Sequence, residues 1–372
     1  MGAPLARVPA GVQYVFGAEA RLRRAVERRV LEVFGGWSYE EVLLPTFDYA
    51  ELFEGGLGQG RARTYRFTDH QGELLALRPE LTTLVARTVA TRLEDEPLPL
   101  RLAYSGEVFR FDPPRRGRHA EFHQVGLEHL GTDRLEADLE VLLVCAEALR
   151  ALGVEGARLV LGHVGFLGGI VDALDLPRDA REDLRERLDR RDPDAVAEAL
   201  RGRADPERAA ELARLTTLTG KADVLDAALA LVKNPVSRAA ALELHRVLAT
   251  ARAAGHDALE VDLGGVAGFD YYTGMTFQVF VPGLASALGG GGRYDRLMAQ
   301  FGRDLPAVGF SLCLDWLADV VARAGGAARL APAPAAEALA GDDLAALFRR
   351  AAALRAEGRR VRIDHAARGA AG

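Results

Sequence analysis

Residues 104–112 and 121–130 form two extended stretches, joined by the turn sequence Pro113-Pro114-Arg115-Arg116-Gly117-Arg118. This order predicts two adjacent strands, and strand alternation then fixes which side chains can act together, because residues two apart share a face. On the second stretch Phe122, Gln124, Gly126 and Glu128 share one face, while His123, Val125, Leu127 and His129 share the other. On the first, Val108, Arg110 and Asp112 fall together. An amide and a carboxylate four residues apart suit either a solvated strand face or a pocket floor. Gly126 between them leaves room for a ligand, which favours the pocket.

Other elements can be placed around this pair. Residues 17–34 predict an amphipathic helix with Leu22, Val26, Val30, Val33 and Phe34 on one stripe, stopped by Gly35-Gly36. A strand over 39–44 ends at Pro45. A strand over 74–77 leads into Arg78-Pro79-Glu80-Leu81-Thr82-Thr83. Pro79 suits a helix start, and Glu80 in a first turn would either complement the helix dipole or meet a cationic ligand group. A helix is expected over 138–151 and a strand over 158–163. The mostly helical pattern that follows reads as an insertion over about 166–256. Strands over 259–263 and 276–281 flank Val266-Ala267-Gly268-Phe269-Asp270-Tyr271-Tyr272-Thr273-Gly274, where paired phenols beside a glycine suit a small polar ligand. Gly289-Gly290-Gly291-Gly292 lacks the Lys-Ser or Lys-Thr of a phosphate loop, so it reads as a strand that admits close approach and ends at Tyr294. Residues 306–310 lead into a helix over 311–323. The resulting division is a core over 1–325, a linker over 326–336 and a short appendage over 337–372, helical to 357 with a strand at 360–363.

Composition removes several classes of function. The chain has 372 residues, 49% of them hydrophobic, enough for a packed core. A net charge of −6 argues against broad nucleic-acid binding. Two cysteines in apolar surroundings, Cys145 and Cys313, fit a reducing cytoplasm better than a disulfide framework. Neither a signal-peptide pattern nor a membrane-length apolar run is expected. Metal-ligand spacings and a Gly-x-Ser-x-Gly elbow are absent, so no metal or cofactor is expected. What remains is a set of polar groups on strands and strand ends: Glu80, Arg110, Gln124, Glu128, Tyr271, Tyr272 and Tyr294. They suit a zwitterion, with an arginine for its carboxylate and acids for an ammonium or imidazolium.

These residues resemble the class II aminoacyl-tRNA synthetase fold, and within it the histidyl-tRNA synthetase lineage, over roughly residues 8–325. Residues 17–45 are similar to motif 1, residues 109–128 to motif 2, and 309–317 to motif 3. Arg78-Pro79-Glu80-Leu81-Thr82, Phe269-Asp270-Tyr271-Tyr272-Thr273-Gly274 and Gly291-Gly292-Arg293-Tyr294-Asp295 resemble the histidine-pocket signatures. The implied architecture is α+β, an antiparallel sheet flanked by helices with a helical insertion. The departures are informative. Ala267 and Trp316 stand where the synthetases carry arginines that assist adenylation, and the motif 2 acid is shortened to Asp112. Losing one such preorganised group typically costs about 100- to 1000-fold in rate.

A chain that keeps the pocket but lacks these cations, with only a short tail in place of an anticodon-binding domain, resembles the regulatory subunits of ATP phosphoribosyltransferase. That resemblance implies a non-catalytic partner of the short catalytic subunit in the first step of histidine biosynthesis, with L-histidine as feedback effector. It also implies self-association through the motif 1-like region, and neither tRNA nor membrane as partner. The alternative is a ligase that activates histidine with ATP. Carried over by motif, Glu80, Thr82, Gln124, Glu128, Tyr271, Tyr272 and Tyr294 would line the histidine site. Arg110 would either contact the ligand carboxylate or brace its strand. The tail would be a docked appendage or the remnant of an anticodon-binding-like domain.

Overall fold

The structure, a computed structural model, is described for residues 8–9, 11–54, 64–111, 119–174, 176–203, 205, 209, 212–214, 217–264, 271–332 and 335–364. Ala267, Asp112 and the arginine-rich turn 113–118 lie outside these residues. The chain divides into two compact units, Met1–Gly326 and Ala327–Gly372.

In the first unit, α1 (Gly17–Gly36) precedes β1 (Glu40–Glu41), β2 (Phe47–Tyr49), β3 (Arg66–Thr68) and β4 (Leu74–Leu77). Then come α2 (Thr82–Arg92), the long pair β5 (Leu100–Phe109) and β6 (Glu121–Leu130), α3 (Leu135–Ala151) and β7 (Arg158–His163). The helical stretch holds α4 (Val164–Asp172), α5 (Arg178–Asp189), α6 (Pro193–Ala199), α7 (Asp223–Leu231) and α8 (Pro235–Ala253). It also contributes a two-residue strand, β8 (Thr219–Gly220), that pairs with β9 (Leu259–Asp262). The unit closes with β10 (Met275–Phe280), β11 (Gly289–Arg293), β12 (Ala307–Cys313) and α9 (Leu314–Arg323).

Nine of these strands form one sheet in the order β1-β5-β6-β12-β11-β10-β7-β9-β8. It is antiparallel except where β1 runs beside β5 and β7 beside β9. One face is covered by α1, α3 and α9, which pack on β6 and on its neighbours β5 and β12. Helix α1 buries Leu22, Val26, Val30, Val33 and Phe34, the stripe expected from its 3.6-residue period. On the other face Tyr104, Val108 and Tyr294 pack with Leu84, Val85 and Val89 of α2 and with Ala76 of the small sheet β2-β4-β3. Among the described residues no helix is long and apolar enough to cross a membrane.

Several expected boundaries move, each for a non-local reason. Ser311 does not open a helix: β12 stays extended through Cys313 because Leu312 and Cys313 pair with Val125 and Gln124. Strand β1 is only two residues long, although Val42 adds one more bond to the Ala103 carbonyl. Arg110 lies one residue past the end of β5. Helix α2 starts at Thr82, so Pro79 and Glu80 precede it and do not form its first turn.

The second unit holds a short helix α10 (Ala327–Leu330), β13 (Glu337–Leu339), α11 (Leu344–Ala356) and β14 (Val361–Ile363). Residues 337–339 are strand, not helix as their composition suggests, because they pair in parallel with β14. Leu339, Leu347, Ala351 and Leu354 form the small core of this β-α-β unit.

Candidate ligand-binding site

Glu80, Thr82, Arg110, Gln124, Glu128, Tyr271, Tyr272 and Tyr294 all line one cavity on the face of the sheet that carries Gln124, Gly126 and Glu128. Its empty space, counted out to the open mouth, is about 350 Å³. Gly290, Gly309, Phe310 and Ser311 complete the wall. β6 and β12 contribute Gln124, Glu128 and residues 309–311, the entrance of α2 contributes Glu80 and Thr82, and Tyr271, Tyr272 and Tyr294 add the aromatic lining.

Glu128 is the hub. It is 1% exposed. Its Oε1 accepts hydrogen bonds from Thr82 Oγ1 at 2.8 Å and from the Tyr104 hydroxyl at 3.0 Å. Its Oε2 accepts from the Tyr294 hydroxyl at 2.5 Å. Two glycines make this packing possible. A Cβ on Gly309 would sit 1.7 Å from Glu128 Oε2, and one on Gly126 would sit 2.7 Å from the Tyr104 hydroxyl. Among the described residues Glu128 has hydroxyls, not cations, as partners. Burial therefore dominates and pushes its carboxyl up to about 8, against the pull of the three hydroxyls.

Glu80, 4% exposed, is the second buried acid. Both its oxygens accept from the Thr83 N–H at 3.1 Å, so it caps α2 from outside the helix while lining the cavity. Burial raises its carboxyl too, partly offset by the Thr83 hydrogen bonds and by Arg110. Glu80 thus supports the entrance of α2 from outside the helix and also lines the cavity. Arg110 braces the strand end by donating from Nε to the Pro79 carbonyl at 2.7 Å, stacks its guanidinium 5.1 Å from the Phe122 ring centre, and still lines the cavity. Gln124 Nε2 donates to Ser311 Oγ at 3.4 Å. The rings of Tyr271 and Tyr272 meet edge-on with centroids 4.9 Å apart, and Tyr271 meets Tyr294 at 5.7 Å.

Tyr104 is the residue that motif reading passes over. It faces Gly126 in register across β5 and β6, and the missing side chain of Gly126 is filled by the tyrosine ring. A large aromatic opposite a glycine in a predicted strand pair was the available signal. The neighbouring signature residue Arg293 turns the other way. It donates from Nη2 to Asp138 Oδ2 at 2.6 Å and from Nη1 to Asp295 Oδ1 at 3.0 Å, beneath α3.

The motif 3-like segment lends Gly309, Phe310 and Ser311 to the cavity wall, while its helical end lies outside the lining. Trp316 is half-buried on α9 and does not line the cavity. Beside it, Asp315 receives a 2.5 Å bond from Arg23 of α1 and a 3.0 Å bond from the His123 N–H, which fixes α9 to α1 and β6. Among the described residues no group of three His, Cys, Asp or Glu side chains is placed to hold a metal. Chemically, the cavity offers two buried acids that lack a full complement of positive charge, aromatic walls, and an arginine at the rim of the strand pair. That combination favours binding of a small cationic or zwitterionic molecule.

The histidyl-tRNA synthetase family model matches residues 11–317. A protein from Moorella thermoacetica described as an ATP phosphoribosyltransferase regulatory subunit is 41% identical over 363 residues, covering 96% of this chain and 92% of that protein. Among solved structures, an ATP phosphoribosyltransferase regulatory subunit/histidyl-tRNA synthetase from Bacillus halodurans C superposes with a TM-score of 0.85 at 25% identity, covering 100% of this chain and 95% of that one. Histidyl-tRNA synthetase from Nostoc sp. PCC 7120 shares the fold, with a TM-score of 0.79 at 20% identity over 98% of this chain and 87% of that one. With a class II synthetase-like sheet, and with 41% identity to the Moorella thermoacetica protein over most of both chains, this chain belongs to the ATP phosphoribosyltransferase regulatory subunit family.

Proposed function

We propose that the chain is the non-catalytic regulatory subunit of a short-form ATP phosphoribosyltransferase, and that it binds L-histidine in the cavity around Glu128 to exert feedback inhibition. The observation that carries this reading is the pair of buried acids, Glu80 and Glu128, in a cavity that retains its tyrosines and Arg110. An amino acid with an ammonium and a basic ring would bring the missing positive charge. The same reading gives the chain no aminoacylation activity of its own, because Ala267 and Trp316 replace the two arginines expected for adenylation. Self-association through the α1 region, a cytoplasmic location and independence from tRNA belong to this proposal.

For feedback, histidine must bind the less active assembly more tightly than the active one. Calorimetry on the chain with L-histidine tests the site. Glu128→Ala should weaken binding by about 10- to 100-fold, the usual worth of hydrogen bonds to a charged group. Unchanged affinity in that variant would remove Glu128 from the site, and absence of binding by the unaltered chain, alone and with the catalytic subunit, would end the histidine reading.

A further inference from the structure

We propose that the empty pocket holds a proton on Glu128 and that a neutral imidazole entering it takes that proton, so that the ring is bound as imidazolium against a carboxylate. This rests on the histidine reading above and goes further by naming the charge state of both partners.

The geometry shows why the proton would be there and why it would leave. Glu128 is sealed between β6, β12 and the entrance of α2, and Gly309 shows how closely the carboxylate is packed, since even a methyl there would overlap it. The groups around it are the Tyr104 hydroxyl from β5, Thr82 and Glu80 from the entrance of α2, and Tyr294 from the end of β11. Tyr271, Tyr272 and Arg110 line the same cavity. A second acid, Glu80, also acts on Glu128 and disfavours its ionisation. An empty pocket of this kind favours the neutral acid.

The hydroxyls pull in the other direction. Three of them converge on the two carboxylate oxygens. A carboxylate that accepts two or three hydrogen bonds can be a very weak base once its burial is compensated. A ligand bringing an ammonium near the two acids supplies that compensation. With the burial penalty offset, the hydroxyls hold the Glu128 carboxylate below the basicity of an imidazole, and the proton moves. The O–H bond of Glu128 breaks with its electron pair left on oxygen, an N–H bond forms at the basic ring nitrogen, and no proton is exchanged with solvent.

The test uses the full chain with L-histidine labelled with nitrogen-15 in the ring, at a pH about one unit above the reference imidazole value of about 6.5. The free ring is then mainly neutral. The expected bound ring shows two similar nitrogen resonances, both protonated. Bound to Glu128→Gln, which cannot supply a proton, the ring should show the widely separated resonances of a neutral tautomer. A neutral ring in the unaltered chain overturns the proton transfer while leaving histidine binding intact. A cationic ring in both proteins overturns the assignment to Glu128. Absence of any bound ring signal overturns the binding reading as well. Difference infrared spectroscopy on the unaltered chain gives a check without substitution. A protonated carboxyl band should disappear as histidine saturates the pocket, and its persistence counts against the proposal.

Discussion

The two faces of β6 treat buried charge in opposite ways. On the face toward α1 and α3, the buried and half-buried acids Glu27, Asp138, Glu140 and Asp315 each meet a cation. His123 lies 3.5 Å from Glu27 and 3.2 Å from Glu107, and the imidazole hydrogen bonds hold both carboxyls down at about 2. Burial alone would push His123 down, but those same bonds outweigh it and raise the ring to about 9. Farther along, Arg101 grips Glu140 through two bonds of 2.7 and 2.8 Å, and Arg293 grips Asp138. On the cavity face, the hydrogen-bond partners of Glu128 among the described residues are hydroxyls, and burial pushes its carboxyl up. Charge matched within the chain serves the fold, whereas charge left unmatched in a cavity points to something that arrives from outside. Five residues along one strand separate the two cases.

The largest effect is expected from breaking the matched side. Arg293→Ala leaves Asp138 buried at 1% exposure without its main cation. Burial pushes the Asp138 carboxyl up and Arg293 works against that, so the variant removes the opposing force. Breaking one partner of a buried pair costs about 3–5 kcal/mol, whereas replacing both partners with apolar residues of similar volume is often close to neutral. Urea unfolding of Arg293→Ala beside the double variant Asp138→Leu/Arg293→Met checks this. A small loss in the single variant would show that the pair is not a structural clamp.

The pH dependence separates the faces by window. Glu128 binds a proton in the folded chain up to about 8 but in the unfolded chain only up to about 4.5. Its contribution is therefore complete below about 4.5 and is lost as pH rises through about 8. His123 is raised from 6.5 to about 9, so its ion cluster is fully stabilising below 6.5 and is lost as pH rises through about 9. Glu27 and Glu107, depressed from 4.5, act in the reverse sense and lose their contribution as pH falls through about 2. Thermal unfolding of the ligand-free chain should thus weaken first through the Glu128 window and then through the His123 window. Glu128→Gln should flatten the first decline only, and His123→Asn the second only. If Glu128→Gln leaves the lower-pH decline in place, the acid is not buried without compensation.

Much of this contrast is legible in the sequence, because alternation along Glu121–Leu130 sorts Gln124 and Glu128 from His123 and His129 without any knowledge of tertiary packing. The stripe of α1 follows equally well from local periodicity. What could not be read depended on partners far away in the chain. The extension of β12 through Cys313 is set by β6, and the strand at Glu337–Leu339 by β14. Arg293 and Tyr294 sit side by side in one signature, yet only their placement between α3 and α2 shows that the first serves the fold and the second the cavity. Tyr104 was hidden because its role needs the empty space at Gly126, which is a property of a strand pair and not of either strand.

The smallest expected effect offers the finest test of the comparison. Tyr104 and Ser105 are neighbours on β5 that point to opposite faces. Tyr104 donates to Glu128 at 3.0 Å, while Ser105 Oγ donates to Glu27 at 2.9 Å and lies 2.7 Å from His123 Nε2. Tyr104→Phe keeps the ring in the space above Gly126 and removes one hydrogen bond to an acid that retains two others. The loss should be about 1 kcal/mol, the usual net worth of such a bond, seen as histidine affinity weakened about 5-fold with little change in unfolding. Ser105→Ala should leave histidine affinity unchanged within error and lower the pH at which the His123 contribution fades, because Glu27 is then held by one donor fewer and its pull on the ring is less fixed. Two adjacent hydroxyls, deleted one at a time, should therefore report on different properties. If both change histidine affinity alike, the two faces of the sheet are coupled, and the division between matched and unmatched charge fails at the strand that defines it.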